Sequence, residues 1–170
     1  MAERSAFRDF IRELKKDWRV TFPAVRPLEE PLGPSMPKAS TFYAGIAGPL
    51  GMHILLNFQH SSKPSEVGEF TINVILSKRK GPPEGFGWLR APEGAELYEG
   101  SHRIGRLVGG KDKWWHLKRY RRPIGTEVWR PSSYDDYDAV LREAVADVTH
   151  DVGAVLRKLG FAEEAGSGTA

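Results

Sequence analysis

Two stretches, "MHILLNFQH" (Met52–His60) and "EFTINVILS" (Glu69–Ser77), decide how this chain folds. Both are rich in β-branched and aromatic residues, and both alternate with a period of two. The polar loop "SSKPSEVG" joins them, so the spacing predicts an antiparallel pair with Asn57 opposite Asn73. Ile54, Leu56, Phe58 and His60 then oppose Leu76, Val74, Ile72 and Phe70, an almost wholly apolar face. The other face sets His53, Leu55, Asn57 and Gln59 against Ser77, Ile75, Asn73 and Thr71. One face belongs to a core and the other is mixed and polar. A slip of one residue would set apolar against polar side chains, which pins the register.

Before this hairpin, "STFYAGIAG" (Ser40–Gly48) reads as a further strand, closed by a Pro49-Leu50-Gly51 turn. Between Pro23 and Pro37 five prolines in fifteen residues forbid both helix and central strand, leaving a connector. Ahead of it, "SAFRDFIRELKKDW" spaces Phe7, Phe10, Ile11, Leu14 and Trp18 by three and four, an amphipathic helix with Ser5 as its N-cap. After the hairpin, the Gly- and Pro-rich run from Gly81 to Ser101 reads as a surface excursion anchored by Phe86 and Trp88. "HRIGRLVGG" is a strand or a short turn packing Ile104, Leu107 and Val108, "KWWHLKRY" alternates too weakly to assign, and "TEVWRP" is a short edge strand.

The last element carries the strongest helical signal. Ser133 and Asp136 form a capping box, and the stripe Tyr134, Tyr137, Leu141, Ala144, Val148, Val152, Val155 and Leu159 follows. A helix of about 27 residues and roughly 40 Å is expected. Gly160 supplies its left-handed cap, with Phe161 the apolar residue beyond. The fold class is therefore α+β: an antiparallel β-sheet packed against an N-terminal helix and a long C-terminal helix. Residues 1–161 make one domain, and 162–170 a flexible tail.

Composition sets limits on chemistry. The chain of 170 residues has five tryptophans and eight phenylalanines, enough for a real core. It has no cysteine, which removes disulfides, thiolate metal sites and cysteine nucleophiles and suits a reducing cytoplasm. No signal peptide and no membrane span is evident, so a cytoplasmic location is expected. The net charge is only +3 but it is unevenly spread. Residues 101–122 hold eight cations against the single acid Asp112, a segment at +7 on a body at −4. Such a field favours an anionic partner.

Several motifs can be weighed by context. "GRLVGGKD" (Gly105–Asp112) approaches a phosphate-binding loop, but Asp112 stands where Ser or Thr should hold magnesium, and no helix start follows. His53, His60, His102, His116 and His150 show no helical i, i+4 pair, so no metal and no cofactor is expected. No nucleophile elbow is present, so no catalytic residue is assigned. Two groups of candidate residues remain. Asn57, Gln59, Thr71 and Asn73 on the polar sheet face, with Arg103 alongside, offer amides, a hydroxyl and a cation to a ligand. Lys113, Trp114, Lys118, Arg119, Arg121 and Arg122 mix cations with an aromatic face, suited to an anionic partner. Adjacent Trp114 and Trp115 point to opposite sides of a strand, so at least one plugs the core. Asp112 is placed to pair with Arg103 or Lys113 and hold the turn.

Together "NFQHSS", "FTINVILS", the "RIG" of Arg103–Gly105 and the "DKWWHL" of Asp112–Leu117 resemble the bacterial family known as domain of unknown function 4304. The likeness spans roughly residues 5 to 160, by the order of these elements. It implies a single α+β domain with no established activity or cofactor, and it groups Gln59, Thr71, Asn73, Arg103 and Asp112–Trp115. The proline connector and the 81–95 stretch are where this chain departs from the family.

The expected function is that of a non-enzymatic binding or protein-interaction module with a basic-aromatic surface. An accessory or immunity-type role suits a small stand-alone protein of this kind. Its partner is anionic, a protein in preference to a nucleic acid, and no membrane is involved. One alternative is nucleic-acid binding through residues 111–122. Another is an enzyme with a polar site on the sheet face.

Overall fold

The computed structural model describes residues 2–23, 25–28, 38–47, 52–60, 68–78, 100–118 and 126–160. Residues 29–37 of the proline connector, the 49–51 turn, the 61–67 loop, the 81–95 stretch, Arg119, Arg121, Arg122 and the tail beyond Gly160 lie outside them.

Helix α1 runs Ala2–Thr21. It starts before Ser5, which lies inside the helix rather than capping it, because Ala2, Glu3 and Arg4 are themselves good helix formers. Strands β1 (Arg26–Pro27), β2 (Thr41–Ala47), β3 (Met52–His60) and β4 (Glu69–Ser77) follow. The hairpin of β3 and β4 has the expected register, with Asn57 opposite Asn73, Leu56 opposite Val74 and Phe58 opposite Ile72. Strand β2 flanks β3 with a bulge between Tyr43 and Gly45. Gly45 takes a φ of 108° there, a conformation that side chains with a Cβ resist.

"HRIGRLVGG" divides into strand β5 (Gly100–Arg103) and the short helix α2 (Ile104–Gly109). "KWWH" forms strand β6 (Lys113–His116), and all four of its residues are buried. A strand buried on both faces has no alternation to display, which is why the sequence pattern left it unassigned. The near-match to a phosphate loop thus has a helix before the turn and a strand after it, the reverse of what such a loop needs.

Strand β7 (Glu127–Trp129) lies at the edge, and the sheet order is β1-β2-β3-β4-β6-β7, with β5 also pairing to β4. Strands β5 and β6 thus share one edge of β4: Asn73–Leu76 pair with β5, and Glu69–Phe70 with β6. Strand β7 runs parallel to β6, so the sheet is mixed and mostly antiparallel rather than wholly antiparallel.

Helix α3 spans Tyr137–Lys158, shorter than expected and starting later. Its N-cap is Asp136, whose carboxylate accepts from the Ala139 backbone N–H. Ser133 instead accepts from the Asp135 N–H, so the capping box gives way to a local turn ahead of the helix. Gly160 has a φ of 76° and closes the C-terminus as a left-handed residue.

One face of the sheet packs on α1 and α3. Phe10, Leu14 and Trp18 meet Phe42, Phe58 and Phe70, while Val148, Val152 and Leu156 complete the core from α3. Phe70 stacks on Trp115 with ring centroids 5.4 Å apart, joining β4 to β6 on this side. The opposite face is not solvent-facing. Leu55, Thr71, Ile75 and Ser77 are wholly buried, and Asn57 and Asn73 nearly so.

Candidate functional site

The alternation of β3 and β4 sends a row of polar side chains to the second face, where the structure brings the sheet-face candidates together. Asn73 donates from Nδ2 to Asn57 Oδ1 at 3.1 Å and to Gln59 Oε1 at 2.9 Å. Asn57 donates in turn to Thr41 Oγ1 at 3.0 Å, and Thr71 donates to the Lys113 carbonyl at 2.7 Å. Arg103 stands opposite Asn73 in the register of β4 and β5, so Thr41, Asn57, Asn73 and Arg103 form one line across four strands. Only Gln59 of the amide group is exposed. Buried amides must find partners or lose their hydration uncompensated, and here they bond to each other.

Beside this row lies an interlock built from "RIG" and "DKWW". Asp112 accepts from the Lys113 backbone N–H at 3.1 Å and from Trp114 Nε1 at 3.2 Å, and it approaches Arg103 Nε at 3.9 Å. The Arg103 guanidinium lies over the Trp114 ring, 5.4 Å from its centre. Such a cation is held by the ring quadrupole as well as by the carboxylate. Gly105 sits so close to β6 that a Cβ would lie 2.3 Å from the Lys111 carbonyl and 2.6 Å from the Lys113 nitrogen.

Lys113 turns to the opposite face, toward α3. Its ammonium donates to Asp147 and Asp151, each at 2.8 Å, and lies 4.8 Å from the centre of the Trp115 ring. Trp115 donates from Nε1 to the same Asp147 carboxylate at 2.9 Å. Burial pulls the Lys113 ammonium down, but hydrogen bonds and charge from Asp147 and Asp151 outweigh it and hold the lysine above its ordinary value. Lys113 is therefore a charged clamp between β6 and α3, with its charge met inside the fold. Both tryptophans are buried, Trp115 at 0% exposure in the main core and Trp114 at 8% beneath Arg103.

Of the remaining cations of this segment, Arg106 and Lys111 are exposed and Lys118 is half-buried, its stem against Gly68. Arg119, Arg121 and Arg122 follow outside the described residues.

Two groupings had no signature in the sequence that singled them out. Glu69 and His116 face each other across β4 and β6, Oε2 to Nε2 at 3.1 Å, both without solvent exposure. Tyr43 and His53 meet at 2.7 Å between the hydroxyl and Nδ1, and burial holds the phenol above its ordinary value. Asp147 and Asp151 did leave a trace, as acids four apart beside the apolar stripe of α3. Among the described residues no cluster of three or more His, Asp or Glu is placed to hold a metal ion. No described helix is long and apolar enough to cross a membrane.

The fold and this site define a small α+β domain whose polar motif residues are joined to one another. No family model matches the chain, and no curated protein or solved structure matches it.

Proposed function

We propose that this protein is a non-enzymatic binding module that holds an anionic partner, a protein in preference to a nucleic acid, through the cations that follow β6. The observation that carries the reading is how the charge of residues 101–122 divides. Arg103 approaches Asp112, and Lys113 is bound by Asp147 and Asp151. Among the described residues the surplus therefore falls on exposed Arg106 and Lys111 and on half-buried Lys118, and the sequence adds the positive charges of Arg119, Arg121 and Arg122 after it. A concentrated positive field of this kind attracts an acidic surface. Burial of both Trp114 and Trp115 favours a protein partner, since unpaired bases need exposed aromatic faces to stack on.

An accessory or immunity-type role in the cytoplasm is part of this proposal. So is kinship with domain of unknown function 4304, whose motif residues Arg103, Gly105 and Asp112–Trp114 contact one another here. The test is binding of poly-glutamate and of single- and double-stranded oligonucleotides by the intact chain and by a variant with Lys118, Arg119, Arg121 and Arg122 changed to Glu. The proposal expects salt-sensitive binding of poly-glutamate that the variant loses. Binding of oligonucleotides alone would favour the nucleic-acid reading, and binding of neither probe at low salt would overturn both.

A further inference from the structure

Helix α2 packs inward through Ile104, Gly105 and Leu107, which leaves Arg106 and the run from Val108 to Lys111 on the outside. Val108 is one of three large apolar side chains exposed among the described residues. It stands between the exposed cations Arg106 and Lys111, and neither of these has an ion pair among the described residues. We propose that this corner is a second contact for the partner and takes an acidic segment that carries an aliphatic side chain. The aliphatic group covers Val108, while carboxylates on either side of it meet Arg106 and Lys111.

The chemistry of the occupant follows from the corner's own. An apolar side chain flanked by cations is matched by an apolar side chain flanked by anions, the one giving anchorage and the other register. Gly109 and Gly110 put no side chain in the way, and a Cβ built on Gly110 would meet nothing within 4 Å. A partner backbone can therefore come close. Glu127 is the acid at the border, its Oε1 3.7 Å from where a Gly109 Cβ would stand, and it repels a carboxylate placed there. Asp112, next in the chain, is engaged by Trp114 and the Lys113 N–H and lies near Arg103.

The corner is also held in shape before anything binds. Gly105 lies against the backbone of Lys111 and Lys113, Lys158 donates to the Leu107 carbonyl at 2.7 Å, and Gly110 turns the chain at a φ of 78°. A surface fixed in advance loses little freedom on binding. Lys118 follows Lys111 by seven residues, with β6 between them, so the two contacts are at most about 25 Å apart. An extended segment of about eight residues spans that distance.

This assignment rests on the acidic protein partner proposed above, and two probes separate the failure of one from the failure of the other. They are poly-glutamate and a glutamate–leucine copolymer of the same total charge, bound to the full chain at low salt. Val108 has 36% of its surface exposed, so covering it should favour the copolymer by about two- to sixfold. Val108→Ser should bind both polymers alike, and Arg106→Gln/Lys111→Gln should bind both more weakly than the natural chain. All three positions are exposed, so these changes leave the core intact. Equal binding of the two polymers by the natural chain would overturn the corner and leave the anionic partner standing. So would a preference that Val108→Ser keeps, or affinities that Arg106→Gln/Lys111→Gln does not lower. Binding of neither polymer would overturn both, as would a single-stranded oligonucleotide held more tightly than either polymer and equally well by all three chains.

Discussion

Replacing Lys113 with methionine keeps most of the side chain's volume and removes only its charge. In the native fold that charge faces two carboxylates at 2.8 Å, one of them, Asp151, with only 6% of its side chain exposed. Taking one partner from a buried ion pair typically costs about 3–5 kcal/mol, because the other is left uncompensated. Asp147 keeps 28% exposure and can recover some hydration, which places the expected loss near the lower bound, about 3 kcal/mol. With a urea slope of about 2 kcal/mol per molar, the unfolding midpoint should drop by about 1.5 M. Changing Asp147 and Asp151 to Asn in the same chain removes the stranded charges and should recover at least half of that loss. The assay is equilibrium urea unfolding followed by tryptophan fluorescence, which Trp115 above the clamp reports directly. A loss under about 1 kcal/mol for Lys113→Met would refute the clamp, since it would match an exposed pair. So would a triple variant no more stable than the single one.

Two further substitutions probe the neighbouring contacts. Gly105→Ala sets a methyl group against the backbone of Lys111 and Lys113, which cannot swing aside, and should cost about 1–3 kcal/mol in the same assay. Asn73→Ala removes the donor shared by Asn57 and Gln59 and should cost about 1–3 kcal/mol, with faster amide exchange along β3.

The legible parts of this fold were those where one strand face had to be apolar. The pairing of β3 and β4 could be read to the residue because a slip by one would have buried Asn57 and Asn73 among the phenylalanines of the core. The second face could be read only as mixed and polar, with its amides and hydroxyls offered to a ligand, whereas the structure buries most of them in a row bonded to one another. Polarity alone does not separate a wet surface from a satisfied interior. Strand β6 was illegible because both its faces are buried; β7 was read as a short edge strand, but its parallel pairing depended on β6. The role of Lys113 lay further out of reach, since its partners are 34 and 38 residues away on a helix whose apolar stripe drew the attention. Asp112 with Arg103 was within reach because the two are close in sequence, with only the short helix α2 and a turn between them.

The proposed function depends on a division between the cations of 101–122 that are paired inside the fold, Arg103 and Lys113, and those proposed to meet a partner. Its most direct test is the slope of log K against log salt for poly-glutamate, measured on the natural chain and on two variants, Lys113→Met and the four-site change at 118, 119, 121 and 122. The prediction is a slope unchanged in Lys113→Met and greatly reduced in the four-site variant. A slope that Lys113→Met reduces and the four-site change leaves intact would contradict it.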